Sequence, residues 1–481
     1  MNSRALEKIG LPSALVPLAK QLVAEARRAG VGQQEIRGQL AALVSAPEQC
    51  TADPHFGRLA RDLVQQRAAG TPSFSPRRDP APWRQWGSDI DEQALGQMRQ
   101  AVQLPVAVAA ALMPDAHVGY GLPIGGVLAT ANAVVPYAVG VDIACRMKLS
   151  VLDLPTGWLQ SKRDRLARAL EVETRFGIGA EFGRRGDPQA TPPREHPVLD
   201  EDWTVSPITL RHRDKARLQL GTSGSGNHFV EFGTLSVDAA QARALGLAGA
   251  GVFLALLSHS GSRGTGASVC DHYSRLAMTL CPGLPRELRQ LAWLPLDSPA
   301  GQEYWRAMNL MGRYAAANHA VIHRQIVRHL GAEVILDIEN HHNFAWEEEH
   351  QIDGVAQRLI VHRKGATPAG AGILGIIPGS MAAPGFIVRG RGVAASLHSA
   401  SHGAGRKMSR TQARQSFRWP QVRAELSQQG VDLLSAGIDE VPLAYKDIHA
   451  VMAAQADLVE TLGRFDPRLV KMAPEGEKAE D

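Results

Sequence analysis

The chain has 481 residues, 44% of them hydrophobic, which suffices for one large core or two to three smaller ones. Its 52 basic and 48 acidic residues leave a net charge of +4, so a nucleic-acid partner would have to be met by a local basic groove and not by a global field. Runs such as LPVAVAAALM and GVFLALLS fall short of the roughly 18 to 20 uncharged residues of a membrane span, the N-terminus lacks a continuous apolar core with a small-residue cleavage site, and Cys50, Cys145, Cys270 and Cys281 include no CxxC pair; a cytoplasmic chain with reduced thiols is expected.

In chain order, residues 1–69 read as helices, because LPSALVPLAKQLVAEARRAG and GQQEIRGQLAALVSA repeat apolar positions near the 3.6-residue period. Prolines and glycine in GTPSFSPRRDPAPWRQW predict a linker over 70–86, with a catalytic domain over 87–475. From Met113 to Leu154, short valine-, isoleucine- and alanine-rich runs broken by glycine and proline predict strands and tight turns. A helix is predicted in SKRDRLARALEVETRF and a surface loop in GRRGDPQATPPREHPVLDEDW. Further helices are predicted in VDAAQARALG, in PAGQEYWRAMNLMGRYAAANHAVIHRQIVRHLG and in TQARQSFRWPQVRAELSQQG up to its proline, before a frayed tail over 476–481. No fixed-period repeat occurs, which argues against a solenoid or propeller.

Four scattered segments carry donors for a soft divalent metal: Asp142 and Cys145 in VGVDIACRM, His228 in GTSGSGNHFVE, His259 in SHSGSRGTG and a histidine of ENHHNF. A carboxylate three residues before a thiolate suits manganese, iron, cobalt or zinc, and not magnesium or calcium. The alternative is that Cys145 is a small buried hydrophobe and each histidine a satisfied core residue. Both His228 and His259 adjoin glycine clusters, where backbone can approach a ligand closely and N–H groups can point at an anion. GTSGSG has the spacing GxxGxG, which does not match the dinucleotide-binding loop. Neighbouring His341 and His342 would face opposite ways on a strand, so only one can join a common site, and sequence geometry does not choose between them.

A fifth segment, SHGAGRKMSR, carries His402 with Arg406 and Arg410, cations suited to phosphate beside an imidazole that could attack phosphorus. Lys364 in VHRKGA adds another cation. An exposed basic loop is the bland reading of each segment, but a phosphate and a thiolate-bound metal would account for all of them together. Phosphoryl or nucleotidyl transfer is therefore read from the residues themselves.

At these residues the chain resembles the RtcB family of RNA ligases, through MPDAHVGYGLPIGGV, GVDIACRM, LGTSGSGNHFVEF, HSGSRG, HRKGA, IPGSM, HGAGR and AYKDI, in order from about Leu95 to Lys471. The resemblance implies an α+β fold with mixed and antiparallel sheets around the active site, flanking helices and the N-terminal helical region outside the match. It implies joining of RNA 3′-phosphate or 2′,3′-cyclic phosphate ends to 5′-hydroxyl ends, in RNA repair or tRNA splicing, with GTP as co-substrate and an archease-type activator as a possible partner. Two Mn²⁺ ions are implied, one on Asp142, Cys145 and His228, the other on Cys145, His259 and His342, the His-Asn step selecting His342. His402 would carry GMP. Asn227, Arg406 and Lys364 would surround the nucleotide and RNA phosphates, with Arg263 a further basic residue of the site. Glu231, Tyr445 and Lys471 would lie near the guanine, and Ser380, Gly403, Ala404 and Gly405 complete the implied nucleotide contacts.

The chain departs from the family where Ala144 and Arg146 replace the two glycines of GVDIGCGM, adding bulk and a cation near the metals. AAPGF follows IPGSM where the family tends to read GTxSY, Pro368 ends HRKGATP, and SHGAGR replaces CHGAGR. These changes bear on guanine selectivity and RNA-end geometry. The rival readings are a metal-dependent phosphatase or cyclic phosphodiesterase that heals ends without sealing them, and an inactive RNA-binding paralogue.

Overall fold

Helices Val16–Arg28, Gln33–Ser45 and Gly57–Ala68 follow the apolar period of the first 69 residues, and Ala19, Val23, Leu40, Leu43, Phe56 and Leu59 form their shared buried stripe. The computed structural model describes residues 5–6, 9–12, 15–68, 75–183 and 191–478. They fall into two units, Met1–Phe74 and Ser75–Asp481. Residues 70–74 of the expected linker, 184–190 of the expected surface loop and 479–481 of the expected tail lie outside the described residues.

The second unit is α+β and built on two large sheets. One runs in the order Trp83–Gln85, Ala107–His117, Ile124–Thr130, Val355–Lys364, Phe344–Ile352. Trp83–Gln85 is a parallel edge strand on Ala110–Leu112, so the sheet begins inside the segment expected to be linker. The indole of Trp86 fixes that edge by donating to Asp457 Oδ2 at 3.0 Å.

The second sheet runs Leu374–Ile377, Gly385–Gly390, Val459–Met472, Phe229–Val237, Gly251–Ser260, Arg146–Leu152, Val334–His341, with Asp432–Ser435 alongside Val459–Met472. Successive side chains of a strand alternate between faces. Val230, Phe232, Leu254 and Leu256 therefore pack together with Leu166, Leu170, Ile322 and Ile326 from helices Arg163–Glu173 and Pro299–Leu330. The long helix starts at the Ser298 cap, whose hydroxyl accepts from Gly301 N at 3.1 Å, and stops at Gly331, whose left-handed φ of 63° a glycine adopts freely. Asp238 and Gln241 form a capping box for Ala239–Leu245.

The helix expected to run through TQARQSFRWPQVRAELSQQG up to its proline divides in two, Arg410–Ser416 and Trp419–Gln428. Pro420 starts the second helix and does not end the first, because a first-turn residue needs no N–H donor and its fixed φ suits the turn. Among the described residues no helix is long and apolar enough to cross a membrane.

Phe232 is fully buried between the second sheet and its helices. Phe232→Ala is expected to lower the unfolding free energy by about 3–5 kcal/mol, read as a fall in the urea midpoint.

Candidate active site

Phe229–Val237, Gly251–Ser260, Arg146–Leu152 and Val334–His341 are neighbours in that order, each antiparallel to the next. Alternating direction puts the start of one strand beside the end of the next: Phe229 and Met147 both pair with His259, and Arg146 pairs with His341. His228, Cys145 and His342 flank these strand ends in sequence, and they meet His259 at one end of the sheet. Cys145 Sγ lies 3.4 Å from His228 Nε2 and 3.0 Å from His259 Nε2. His259 Nε2 lies 3.1 Å from His342 Nε2, and Asp142 Oδ2 lies 3.1 Å from His228 Nε2. His341 is not brought to the cluster; its ring packs on Phe344 and Trp346.

The imidazoles are oriented by backbone. His228 Nδ1 lies 2.7 Å from the Ser223 carbonyl and His259 Nδ1 3.1 Å from the Asn227 carbonyl. A carbonyl only accepts, so the protons sit on Nδ1 and both Nε2 lone pairs face the cluster. The glycine-rich GTSGSGNH loop thus presents carbonyls to imidazoles. Burial pushes His259 down to about 3 and His342 well below the ordinary range, which keeps both neutral near pH 7. Asp142 Oδ1 accepts from Ser262 N at 2.9 Å, while Asp142 Oδ2 and His342 Nδ1 are buried without a hydrogen bond. Lone pairs, a thiol and a carboxylate converging with few donors between them suit a shared cation, and Cys145, His228 and His259 alone place their ligand atoms within 4.8 Å of one another. Close approach requires Gly261, because a Cβ there would stand 2.0 Å from Asp142 Oδ2.

His402 faces the cluster from the other wall, its ring centroid 4.8 Å from that of His342. Fully buried Asp115 lies with Oδ2 2.7 Å from His402 Nδ1, and the same oxygen accepts from the backbone N–H groups of His402 at 3.2 Å and Gly403 at 3.3 Å. The Nδ1 proton is therefore held by a carboxylate, and the Nε2 lone pair has no partner among the described residues. Gly405, at φ 75°, lets the HGAGR loop lie on the Asp115 backbone, since a Cβ would stand 2.0 Å from its carbonyl oxygen. Reading the sequence did not single out Asp115, although it lies inside MPDAHVGYG; the available signal was a carboxylate with no assigned role in a glycine-rich segment.

Every metal-donor and nucleotide-site residue that the resemblance implies, except Arg263 and Lys471, lines a cavity of about 850 Å³ around His402 and the cluster. Arg263 is buried beside it, its Nε donating to Thr222 Oγ1 at 3.0 Å. Lys471 pairs with Val230 on the face of the sheet opposite Glu231, and its ammonium donates to the Leu170 carbonyl at 3.2 Å, so the fold does not bring it to the cavity. Glu231 does face the cavity, and burial raises its carboxyl well above the usual value. The arginines of the HGAGRKMSR loop are already engaged: Arg406 NH1 lies 3.4 Å from Glu440 Oε2 and stacks over Tyr445, and Arg410 pairs with Asp439 and Glu440. Tyr445 is held by donating its hydroxyl to Glu440. Ser380 accepts from Ala383 N at 3.2 Å, which keeps the turn after IPGSM closed.

The residues that replace glycines beside Cys145 behave differently from each other. Arg146 adds no free cation to the cluster, because its guanidinium binds Glu339 and donates to the Gly312 carbonyl at 3.1 Å. Ala144 keeps a left-handed φ of 57°, which costs a side-chain-bearing residue strain, and its N–H donates to the Asn343 carbonyl at 2.8 Å. Asn343, also left-handed at φ 63°, accepts from Gly365 N at 2.8 Å and so ties the turns that carry Cys145 and His342 to the Lys364 segment.

A family model described as tRNA-splicing ligase RtcB matches residues 97–472, the stretch that contains the cavity. The chain belongs to the RtcB family. It is 33% identical over 416 residues to the RNA-splicing ligase RtcB of Escherichia coli K12, covering 79% of this chain and 95% of that relative. It is likewise similar to the tRNA-splicing ligases RtcB of Aeropyrum pernix, at 33% identity over 74% of this chain and 86% of the relative, and Nanoarchaeum equitans, at 32% over 78% and 91%. The four donor-bearing segments and the His402 loop all lie inside the family match, and the N-terminal helices outside it.

Burial pushes the Lys364 ammonium, which donates to the Tyr120 carbonyl at 2.5 Å, from 10.5 down to about 7. Between those values the unfolded chain holds a proton that the folded chain has released, so this group makes stability rise with pH from about 7 to about 10.5. Lys364→Met removes that contribution. Its unfolding free energy, from urea titrations at steps between pH 7 and 10, should climb less steeply than that of the wild type.

Proposed function

We propose that the chain is a GTP- and Mn²⁺-dependent RNA ligase that joins 3′-phosphate or 2′,3′-cyclic phosphate ends to 5′-hydroxyl ends, with His402 as the carrier of GMP. The observation that carries this reading is the Asp115–His402 pair, whose free Nε2 lone pair opens into the same cavity as the thiolate and imidazole donors. A neutral imidazole with its other nitrogen proton held by a carboxylate is a competent nucleophile toward phosphorus.

His402 Nε2 attacks the α-phosphorus of GTP; the new P–N bond replaces the P–O bond to pyrophosphate, which leaves. The positive charge that develops on the ring is balanced by Asp115, which keeps the Nδ1 proton. After a cyclic end has been opened to a 3′-phosphate, that phosphate attacks the histidine-bound phosphorus and takes up the GMP. The 5′-hydroxyl then attacks the activated 3′-phosphorus and GMP leaves. Asp142, Cys145 and His228 would hold one Mn²⁺, and Cys145, His259 and His342 a second. Bound there, the ions would neutralise charge on phosphoryl oxygens. The Glu231 carboxyl makes no hydrogen bond to another described residue, so it is available to the N–H donors of a guanine edge, with Tyr445 as a neighbouring wall. Asn227, Ser380, Lys364 and the backbone of Gly403, Ala404 and Gly405 line the path of the phosphates. Relatives named RNA- and tRNA-splicing ligases support repair or splicing as the setting.

Protein incubated with Mn²⁺ and α-labelled GTP, then denatured, should retain acid-labile label that His402→Ala abolishes. Asp115→Asn should label roughly 10²- to 10⁴-fold more slowly, because the proton it holds is then misplaced. No label on protein that contains Mn²⁺ would overturn the ligase reading in favour of end healing without sealing.

Metal content gives a separate check. Cys145→Ala should lose bound Mn²⁺ in equilibrium dialysis, and Gly261→Ala, whose Cβ would displace the Asp142 carboxylate, should bind it at least tenfold more weakly. Wild-type affinity in both variants would remove these residues from the metal site.

A further inference from the structure

Tyr120 is the one exposed phenylalanine, tyrosine or tryptophan among the described residues, at 56% exposure, with Val118 beside it at 42%. Both line the cavity that holds His402. A side chain that lines a cavity and is also more than half open to solvent stands at its mouth. Its hydroxyl makes no hydrogen bond to another described residue, so the ring is not held there by its polar tip.

The backbone beneath it, in contrast, is pinned from three sides. Gly119 N donates to Gln97 Oε1 at 3.0 Å while Gln97 Nε2 donates to the Gly119 carbonyl at 2.5 Å. The Tyr120 carbonyl accepts from buried Lys364 at 2.5 Å. Gly121, at φ 72°, lies so close to Gln290 that a Cβ would stand 2.9 Å from its carbonyl oxygen. Lys364 is followed by Gly365, where a Cβ would stand 3.2 Å from His402 Cε1. The backbone that carries the ring is thus fixed relative to His402, while the ring itself is open to solvent at the mouth.

We propose that Tyr120 is a base-stacking platform for the nucleotide at a broken RNA end, a positioning residue that aims the end phosphate at His402. The proposal rests on the ligase reading for the identity of its ligand. An RNA strand must leave the cavity through its mouth, whereas a mononucleotide whose base reaches Glu231 and Tyr445 lies inside it. Every base offers a π-face, so a single rigid ring serves ends of any sequence, which a ligase for broken RNA requires.

The test is the Kd of RNA carrying a 3′-phosphate or a 5′-hydroxyl end, by fluorescence anisotropy, for wild type, Tyr120→Ala and Tyr120→Phe. Each RNA is used with a normal or an abasic end nucleotide. Tyr120→Ala should weaken binding of at least one normal end by roughly 5- to 150-fold. Tyr120→Phe should restore it, and the abasic end should remove most of the difference between wild type and Tyr120→Ala. Equal Kd values for wild type and Tyr120→Ala, or the same loss on normal and abasic ends, would overturn the platform. GTP labelling of the wild type is read separately. Absence of label with the expected Kd pattern would sink the ligase reading and leave the platform, whereas label with unchanged Kd values would do the reverse.

Discussion

Everything at the site depends on the antiparallel register of four strands. Because Phe229–Val237, Gly251–Ser260, Arg146–Leu152 and Val334–His341 alternate in direction, residues flanking a strand start and a strand end come together in one row. Donors from Asp142 to His342 are collected without any short local motif. A one-residue slip in any of these pairings would turn a donor to the helix-covered face, as the outward ring of His341 illustrates. The hydrophobic layer beneath, from Phe232 and Leu256 to Ile322 and Ile326, therefore supports the chemistry as much as the stability, since it fixes which face each side chain takes.

A second constraint is the direction of protons. Ser223 and Asn227 carbonyls hold the Nδ1 protons of His228 and His259, and the Asp115 carboxylate holds that of His402. In all three cases the other nitrogen is turned into the cavity as a lone pair. Two of these lone pairs converge on Cys145, where a cation would relieve their repulsion; the third meets open cavity, where an electrophile fits. One device, a backbone or side-chain acceptor at Nδ1, thus leaves a lone pair facing the donor cluster at His228 and His259 and another facing the open cavity at His402. The arginines of the HGAGRKMSR loop follow a different logic. Asp439 and Glu440 already compensate much of their charge, so they shape the wall and position Tyr445 more than they add a bare positive field.

The α+β class came from the family resemblance, whereas the helices and the donor segments were legible because each has a local signature, a 3.6-residue period or a histidine beside glycines. Trp83–Gln85 was not, because its three residues sit among prolines and pair only through contact with Ala110–Leu112, which lies far along the chain. Pro420 was misjudged because a proline ends one helix or begins another depending on which N–H groups need partners. Asp115 escaped because its role lies in long-range hydrogen bonds to His402 and Gly403, which no local pattern announces. Lys471 looked equivalent to Glu231 in sequence, yet the two fall on opposite faces of paired strands. Arg146, read as a cation near the cluster, is drawn off by Glu339, a partner nothing in its own segment announces.

The most direct test is a crystal structure with Mn²⁺, recorded on both sides of the manganese absorption edge. Anomalous peaks are expected within bonding reach of Cys145 Sγ, one shared with Asp142 and His228 and one with His259 and His342. Peaks elsewhere in fully loaded protein, or the same peaks undisturbed in Cys145→Ala, would contradict the convergence of these lone pairs on a shared metal centre.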